Sequence, residues 1–253
     1  PAKKMEQQSK NISFFQKLKK VFFPFYRSKD IKKLFNILEK NKPKNTQVAM
    51  FVGGCVRNFL ANEEIDDIDI ATIFSPEEIK EKFKDSEFKI IETGVEHGSL
   101  TIILNSSKFE ITTLREDTKT DGRHAEVSFI ANWKEDSSRR DFTINAIYMD
   151  KKGKIYDPQN GREDLKNKCV RFIGEPSARI EEDYLRIIRF IRFSIHYDSK
   201  QSDPKIIEAI KLNLSGINNL SKERILNELY KIFKLKSINI LLKNKEIKKI
   251  FLI

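Results

Sequence analysis

The stretch Phe51-Val52-Gly53-Gly54-Cys55-Val56-Arg57 restricts the fold of this chain more than any other. Gln47–Val52 reads as an apolar strand that runs directly into two glycines, and Val56–Ala61 restarts with helical spacing. Ile65–Thr72 then alternates isoleucine and aspartate, the period-two pattern of a second strand. Strand, glycine turn, helix and strand in this order describe an α/β layer with a sharp turn at one strand end. In a strand, side chains two apart share a face. Asp67 and Asp69 therefore face one side, and Ile68 and Ile70 the core.

That arrangement has chemical consequences. Two adjacent carboxylates repel each other and raise each other's pKa unless a cation sits between them. Mg²⁺ is the simplest such cation, a hard ion that takes oxygen ligands and keeps room for phosphate oxygens. Alone, Asp-x-Asp also describes a solvated acidic strand edge. Glycines at a strand–helix junction let backbone N–H groups approach a phosphate, with the helix N-terminus adding positive potential. Arg57 can add a charged fork. Alone, Gly-Gly also describes an ordinary turn; joined to an Asp-x-Asp strand it describes a phosphate grip beside a metal site.

Further elements follow. Ser28 opens a helix whose apolar stripe is Ile31, Leu34, Phe35, Ile37 and Leu38, stopped at Asn41-Lys42-Pro43. Pro76–Phe83 is helical. Lys89–Glu92, Ser99–Leu104 and Lys108–Leu114 are strands, the last two a hairpin around Asn105-Ser106-Ser107. The polar run Arg115–Ala125 reads as a loop. Asn145–Met149 and Ile155-Tyr156 flank a turn, and from Ile180 onward the pattern is helical. Residues 1–28 form a basic, aromatic arm that either docks on the domain behind it or meets a membrane surface or RNA. Residues 29–173 are the α+β half and 174–253 the helical half.

Composition bounds the class. The chain has 253 residues, 39% hydrophobic with 19 phenylalanines, enough for a sizeable core. Uninterrupted apolar runs stay short of the ~18 residues of a membrane span. Cys55 and Cys169 are the two cysteines, which excludes a disulfide scaffold or a four-cysteine zinc site. With no secretory signal visible, a reducing cytoplasmic compartment is the expectation, the mitochondrion remaining open. Net charge is +11, from 48 Lys and Arg against 37 Asp and Glu. That surplus suits a polyanionic partner, nucleic acid or lipid surface, and equally a lysine-rich genome.

The run "VGGCVRNFL…DDIDIAT" resembles the signature of class II tRNA nucleotidyltransferases and bacterial poly(A) polymerases, within the polymerase-β-like superfamily. The resemblance continues in order through "FEITTLREDTKTDGRHAEV", "RRDFTINAIYMD", "YDPQNGREDL", "RIEEDYLRIIRFIRF" and "LSKERILNEL", covering residues 47–230. It implies a polymerase-β-like head, a mixed sheet with flanking helices, followed by an α-helical neck. Relatives continue into body and tail domains, so the chain reads as a fragment or a shortened form ending at the start of the body.

The resemblance also implies roles. Asp67 and Asp69 hold two Mg²⁺ ions for attack of the RNA 3′-hydroxyl on the nucleotide α-phosphate, and Glu110 is either a third carboxylate or an exposed strand residue. Gly53, Gly54, Arg57, Arg139 and Arg140 belong to the triphosphate, and Asp141 and Asn145 to the ribose. Asp183 and Arg186, read at i and i+3 on one helix face, accept from the base amino group and donate to the ring nitrogen, a pattern that cytosine and adenine share. Arg189, one turn on, supports Arg186 or touches the nucleotide, and Glu182 points elsewhere. The implied reaction adds C and A to tRNA 3′ ends from CTP and ATP, with tRNA as partner. The loop 115–125 is associated in the family with the switch from C to A addition. A poly(A) polymerase and a silent RNA-binding protein are the rivals. Oligomeric state stays open.

Overall fold

The computed structural model describes residues 24–95, 98–120, 125–199 and 203–235. A seven-stranded mixed sheet runs in the order β3-β4-β5-β2-β1-β8-β9. Its strands are β1 (Ala49–Val52), β2 (Ile68–Thr72), β3 (Lys89–Gly94), β4 (Ser99–Leu104), β5 (Ser107–Thr113), β8 (Tyr148–Met149) and β9 (Ile155–Tyr156). Only β2 and β5 pair in parallel; β1 lies antiparallel to both β2 and β8. The expected hairpin of β4 and β5 is present, closed by Asn105 at φ 53°, a left-handed position that Asn tolerates.

Two helices cover one face. α1 (Lys29–Leu38) begins at Ser28, whose hydroxyl accepts from the Ile31 amide. α3 (Pro76–Phe83) carries a Ser75/Glu78 capping box with proline in its first turn. Ile31, Leu34, Phe35, Ile79 and Phe83 pack on Phe51, Ile70, Ile102, Phe109 and Ile111, all nearly inaccessible to solvent. Phe25 and Tyr26 join them against Phe59, so the end of the basic, aromatic arm docks on this core. The rest of the arm lies outside the described residues. The opposite face carries a smaller cluster of Met50, Val52, Ala71, Leu114 and Tyr148. This face holds the candidate site.

The polar run after Leu114 is not a loop. β6 (Arg115–Thr120) and β7 (Ala125–Phe129) form a two-stranded ribbon apart from the main sheet, with Arg115 opposite Phe129. Its root is tied down: the Leu114 amide donates to Thr72 O and the Ile130 amide to Leu114 O.

The helical half comprises α6 (Pro176–Glu182), α7 (Leu185–His196), α8 (Pro204–Asn213) and α9 (Lys222–Phe233). Its core includes Ile180, Ile187, Phe190, Phe193, Ile206 and Ile210. Phe142, Ile144, Val170 and Phe172, which precede residue 174 in sequence, pack in this same cluster. Three further short helices are α2 (Gly54–Leu60), α4 (Trp133–Ser138) and α5 (Gly161–Lys166). Gly161 is required by packing: a Cβ there would lie 2.0 Å from Thr143 O.

Candidate active site

The carboxylates come from two neighbouring strands. Asp69 on β2 lies opposite Glu110 on β5 in the parallel register, so both project from one face side by side. Asp67 precedes the first residue of β2, which begins at Ile68 rather than Ile65, and is exposed. Glu110 is half-buried rather than a solvated strand residue. Burial, then the charges of Glu110 and Asp67, push Asp69 up to about 6, while Arg140 and Arg57 pull the other way. Negative charge is thus in excess at this corner. Among the described residues no three His, Cys, Asp or Glu side chains are grouped so that they could hold a metal ion together. An open corner of carboxylates suits a hard cation that takes one or two of them and completes its shell with phosphate oxygens and water. The donor set therefore fits a hard divalent cation.

Gly53 closes the other side. Its φ of 72° is strained for any residue with a side chain, and a Cβ there would lie 3.4 Å from Asp69 Oδ2 and 3.9 Å from Arg140 Nη1. The glycine turn, one carboxylate and one guanidinium so converge on one spot. α2 starts at Gly54, two residues earlier than its apolar spacing predicts. Behind the turn, the Cys55 thiol donates to Val52 O and Asp69 O. Burial and the Asp69 charge push that thiol up to about 12, so it is inert.

The arginines are held by a residue that the motif reading did not single out. Asp136 on α4 is inaccessible to solvent. Its Oδ2 accepts from Arg140 Nη2 at 3.1 Å and from the Tyr148 hydroxyl at 2.6 Å. Its Oδ1 accepts from Arg139 Nε at 2.8 Å and from the Arg115 amide at 3.3 Å. Burial alone would raise its pKa; the Arg140 and Arg139 charges and the Tyr148 hydroxyl overcome that and hold it at about 2. Asp136 stands four and three residues before Arg140 and Arg139, a helical ion-pair spacing readable in the sequence. Tyr148 offered no such signal, since it reads as core.

Asp141 is largely enclosed, its side chain 11% exposed. It accepts from the Phe142 amide and Asn145 Nδ2 on one oxygen and from Arg189 Nε at 2.8 Å on the other. Against the cost of burial, Arg189 and Asn145 hold its pKa at about 2. Arg57 donates to Asn145 Oδ1 and Asn58 Oδ1, and its guanidinium lies 4.8 Å from the Phe193 ring. Arg189 also reaches Glu228 on α9 at 3.7 Å. Arg57, Asn145, Asp141, Arg189 and Glu228 thus link sheet and helices in one polar chain.

Asp183 and Arg186 do not share a continuous helix. The helix breaks at Asp183, whose backbone is extended at φ −159° between α6 and α7. Its Oδ1 accepts from the Leu185 amide and its Oδ2 from Arg224 Nη2 on α9 at 2.8 Å. Arg186 donates instead to Glu182 and Arg179 O, both at 2.6 Å, so Glu182 points toward Arg186 and not away from it. Arg179 donates onward to the carbonyls of Arg139 and Arg140, joining the helix break to the arginine pair. His97 and His124 lie outside the described residues. His196 pairs with Glu63 at 2.8 Å, away from this cluster.

A mixed sheet with neighbouring strand carboxylates, a glycine turn facing them and arginines beside both defines a polymerase-β-like nucleotidyltransferase head. Residues 49–171 match the family model described as "Poly A polymerase head domain". The chain is 42% identical over 226 residues to the human mitochondrial CCA tRNA nucleotidyltransferase 1, covering 88% of this chain and 51% of that protein. It is 42% identical over 188 residues to the CCA-adding enzyme of Listeria monocytogenes, covering 74% and 47%. The Bacillus stearothermophilus CCA-adding enzyme, solved in complex with CTP, superposes with a TM-score of 0.72 at 32% identity, over 86% of this chain and 53% of that one. Residues 49–171 therefore carry a poly(A) polymerase head domain, and most of the chain is similar to CCA-adding enzymes. It spans about half the length of the curated relatives it matches.

Proposed function

We propose that this chain is the catalytic head and neck of a CCA-adding tRNA nucleotidyltransferase, which extends tRNA 3′ ends with C and A from CTP and ATP without a nucleic-acid template. The observation that carries the reading is the juxtaposition of Asp69 and Glu110 with Gly53 and Arg140. Asp67 and Asp69, with Glu110 beside them, would hold Mg²⁺, which when bound would supply positive charge to the RNA 3′-hydroxyl and the pyrophosphate oxygens. Gly53 and Gly54 admit the triphosphate close to the backbone, and Arg140, Arg139 and Arg57 neutralise its oxygens. Asp141 and Asn145 form the ribose side, kept rigid by Arg189 and Arg57. Asp183 accepts from the base amino group and Arg186 donates to the ring nitrogen. The cytoplasm is the proposed compartment, with the mitochondrion as the alternative that the relatives' names supply.

The test is incubation of the protein with Mg²⁺, tRNA lacking its 3′ terminal CCA and each nucleoside triphosphate in turn, then CTP with ATP. Two C residues followed by one A are expected. Repeated addition of A alone identifies a poly(A) polymerase instead, and no addition with any nucleotide overturns the enzymatic reading.

A further inference from the structure

Asp136 joins three parts of the molecule that sequence keeps apart. Its oxygens meet the arginine pair at 139 and 140, the hydroxyl of Tyr148 on β8, and the backbone amide of Arg115, the first residue of the β6–β7 ribbon. Burying a carboxylate is costly unless each oxygen is paired, and well-packed apolar residues often serve stability as well. What an apolar residue cannot do is aim two guanidinium groups. Arg140 is gripped from two sides, Nη2 on Asp136 and Nε on the Tyr148 hydroxyl at 3.1 Å, which leaves Nη1 as the nitrogen nearest Gly53. The Tyr148 ring lies 5.3 Å from the same guanidinium. The same carboxylate fixes the root of the ribbon, so Arg140 and the ribbon are referenced to one atom group 3.3 Å or less from each.

We propose that Asp136 is a positioning residue that presents Arg140 to the nucleotide phosphates and anchors the β6–β7 ribbon to the same point, coupling nucleotide binding to the placement of the ribbon. The proposal rests on the nucleotidyl-transfer reading for its phosphate half. Its ribbon half stands on the Arg115 contact alone.

Two variants of the full chain test it. Asp136→Asn keeps the shape but removes the charge that both oxygens share, weakening the bonds to Arg140, Tyr148 and the Arg115 amide alike, and turns one oxygen into a donor. Tyr148→Phe removes one hydroxyl from a fully buried aromatic ring and keeps the packing, so folding is retained. KM for CTP and ATP should rise about tenfold in Asp136→Asn and by less in Tyr148→Phe, with a smaller loss in kcat. A merely structural role would lower the active fraction and hence apparent kcat, leaving KM untouched. Hydrogen exchange at amides 115–120 should quicken in Asp136→Asn while β3, at the far sheet edge, stays as in the wild type. Unchanged KM in both variants, or unchanged exchange of the ribbon in Asp136→Asn, overturns the proposal. A wild-type protein that adds no nucleotide overturns the nucleotidyl-transfer reading instead. Direct ATP binding and ribbon exchange then decide whether Asp136 couples the two.

Discussion

Removing the charge of Asp69 separates its proposed catalytic role from its structural one. The carboxylate is crowded by Glu110 and Asp67 and half-buried, a local cost to the folded state. Asp69→Asn should abolish nucleotide addition, with a loss beyond the ~10–100-fold typical of losing a residue behind a metal ligand. The melting temperature without metal should stay level or rise, because a repelled charge is gone. Lost activity with a fallen melting temperature would make Asp69 a fold residue. Gly161 is the converse case. A methyl group there meets Thr143 O at 2.0 Å, so Gly161→Ala should lose ~1–3 kcal/mol in urea unfolding or more. At this scale the sequence was legible where chemistry and spacing coincide, as at Asp69, Gly53 and Arg140. Asp136 was not, because one aspartate in a polar helix carries no mark of burial. Its partner Tyr148 looks like any strand aromatic.

Beyond shifted boundaries at β2 and α2, two elements differ in kind from their sequence patterns, each for a physical reason. The β6–β7 ribbon, a sheet apart from the main one, has few apolar residues to alternate, so period-two reading missed it. The break between α6 and α7 carries no glycine and no proline. It is made by Asp183, whose carboxylate caps the Leu185 amide at 3.1 Å and takes Arg224 from α9. An i, i+3 argument assumes a continuous helix and fails there, although both side chains still flank one break. Arg179 and Glu182 keep Arg186 in place from the preceding helix. If this junction reads the base, Arg186→Ala leaves a ring-nitrogen acceptor unpaired, at ~1–3 kcal/mol. Preference for C and A over U and G should then shrink by about one to two orders of magnitude, at about 1.4 kcal/mol per tenfold. Asp183→Ala should relax it similarly. Single-nucleotide addition with each of the four triphosphates measures both. Wild-type preference in both variants would move base reading elsewhere.

Across the whole molecule, sheet and helices are fastened by buried ion pairs as well as by apolar packing. Asp141 bonds Arg189 of α7, and Arg179 of α6 holds the carbonyls next to it, while Asp136 secures the arginine pair against β8. The hydrophobic clusters were legible from periodicity: Ile31, Leu34, Phe35 and Leu38 are buried as their stripe requires. The fastening was not legible, because pairs such as Asp141 with Arg189 are far apart in sequence. That fastening sets a pH signature. Asp136 and Asp141 both have folded-state pKa values near 2, below the 3.8 of an unperturbed aspartate. A depressed folded pKa contributes stability that is present above the unfolded value and is lost as pH falls through the folded one. Each carboxylate therefore adds about 2 kcal/mol near neutrality, and the contribution drains away between pH 4 and pH 2. Urea unfolding followed across that window should show a steep fall in midpoint. In Asp136→Asn, which cannot take up the proton, the fall should be shallower by about half. An equal slope in wild type and variant would show that the pairs of Asp136 do not govern acid stability.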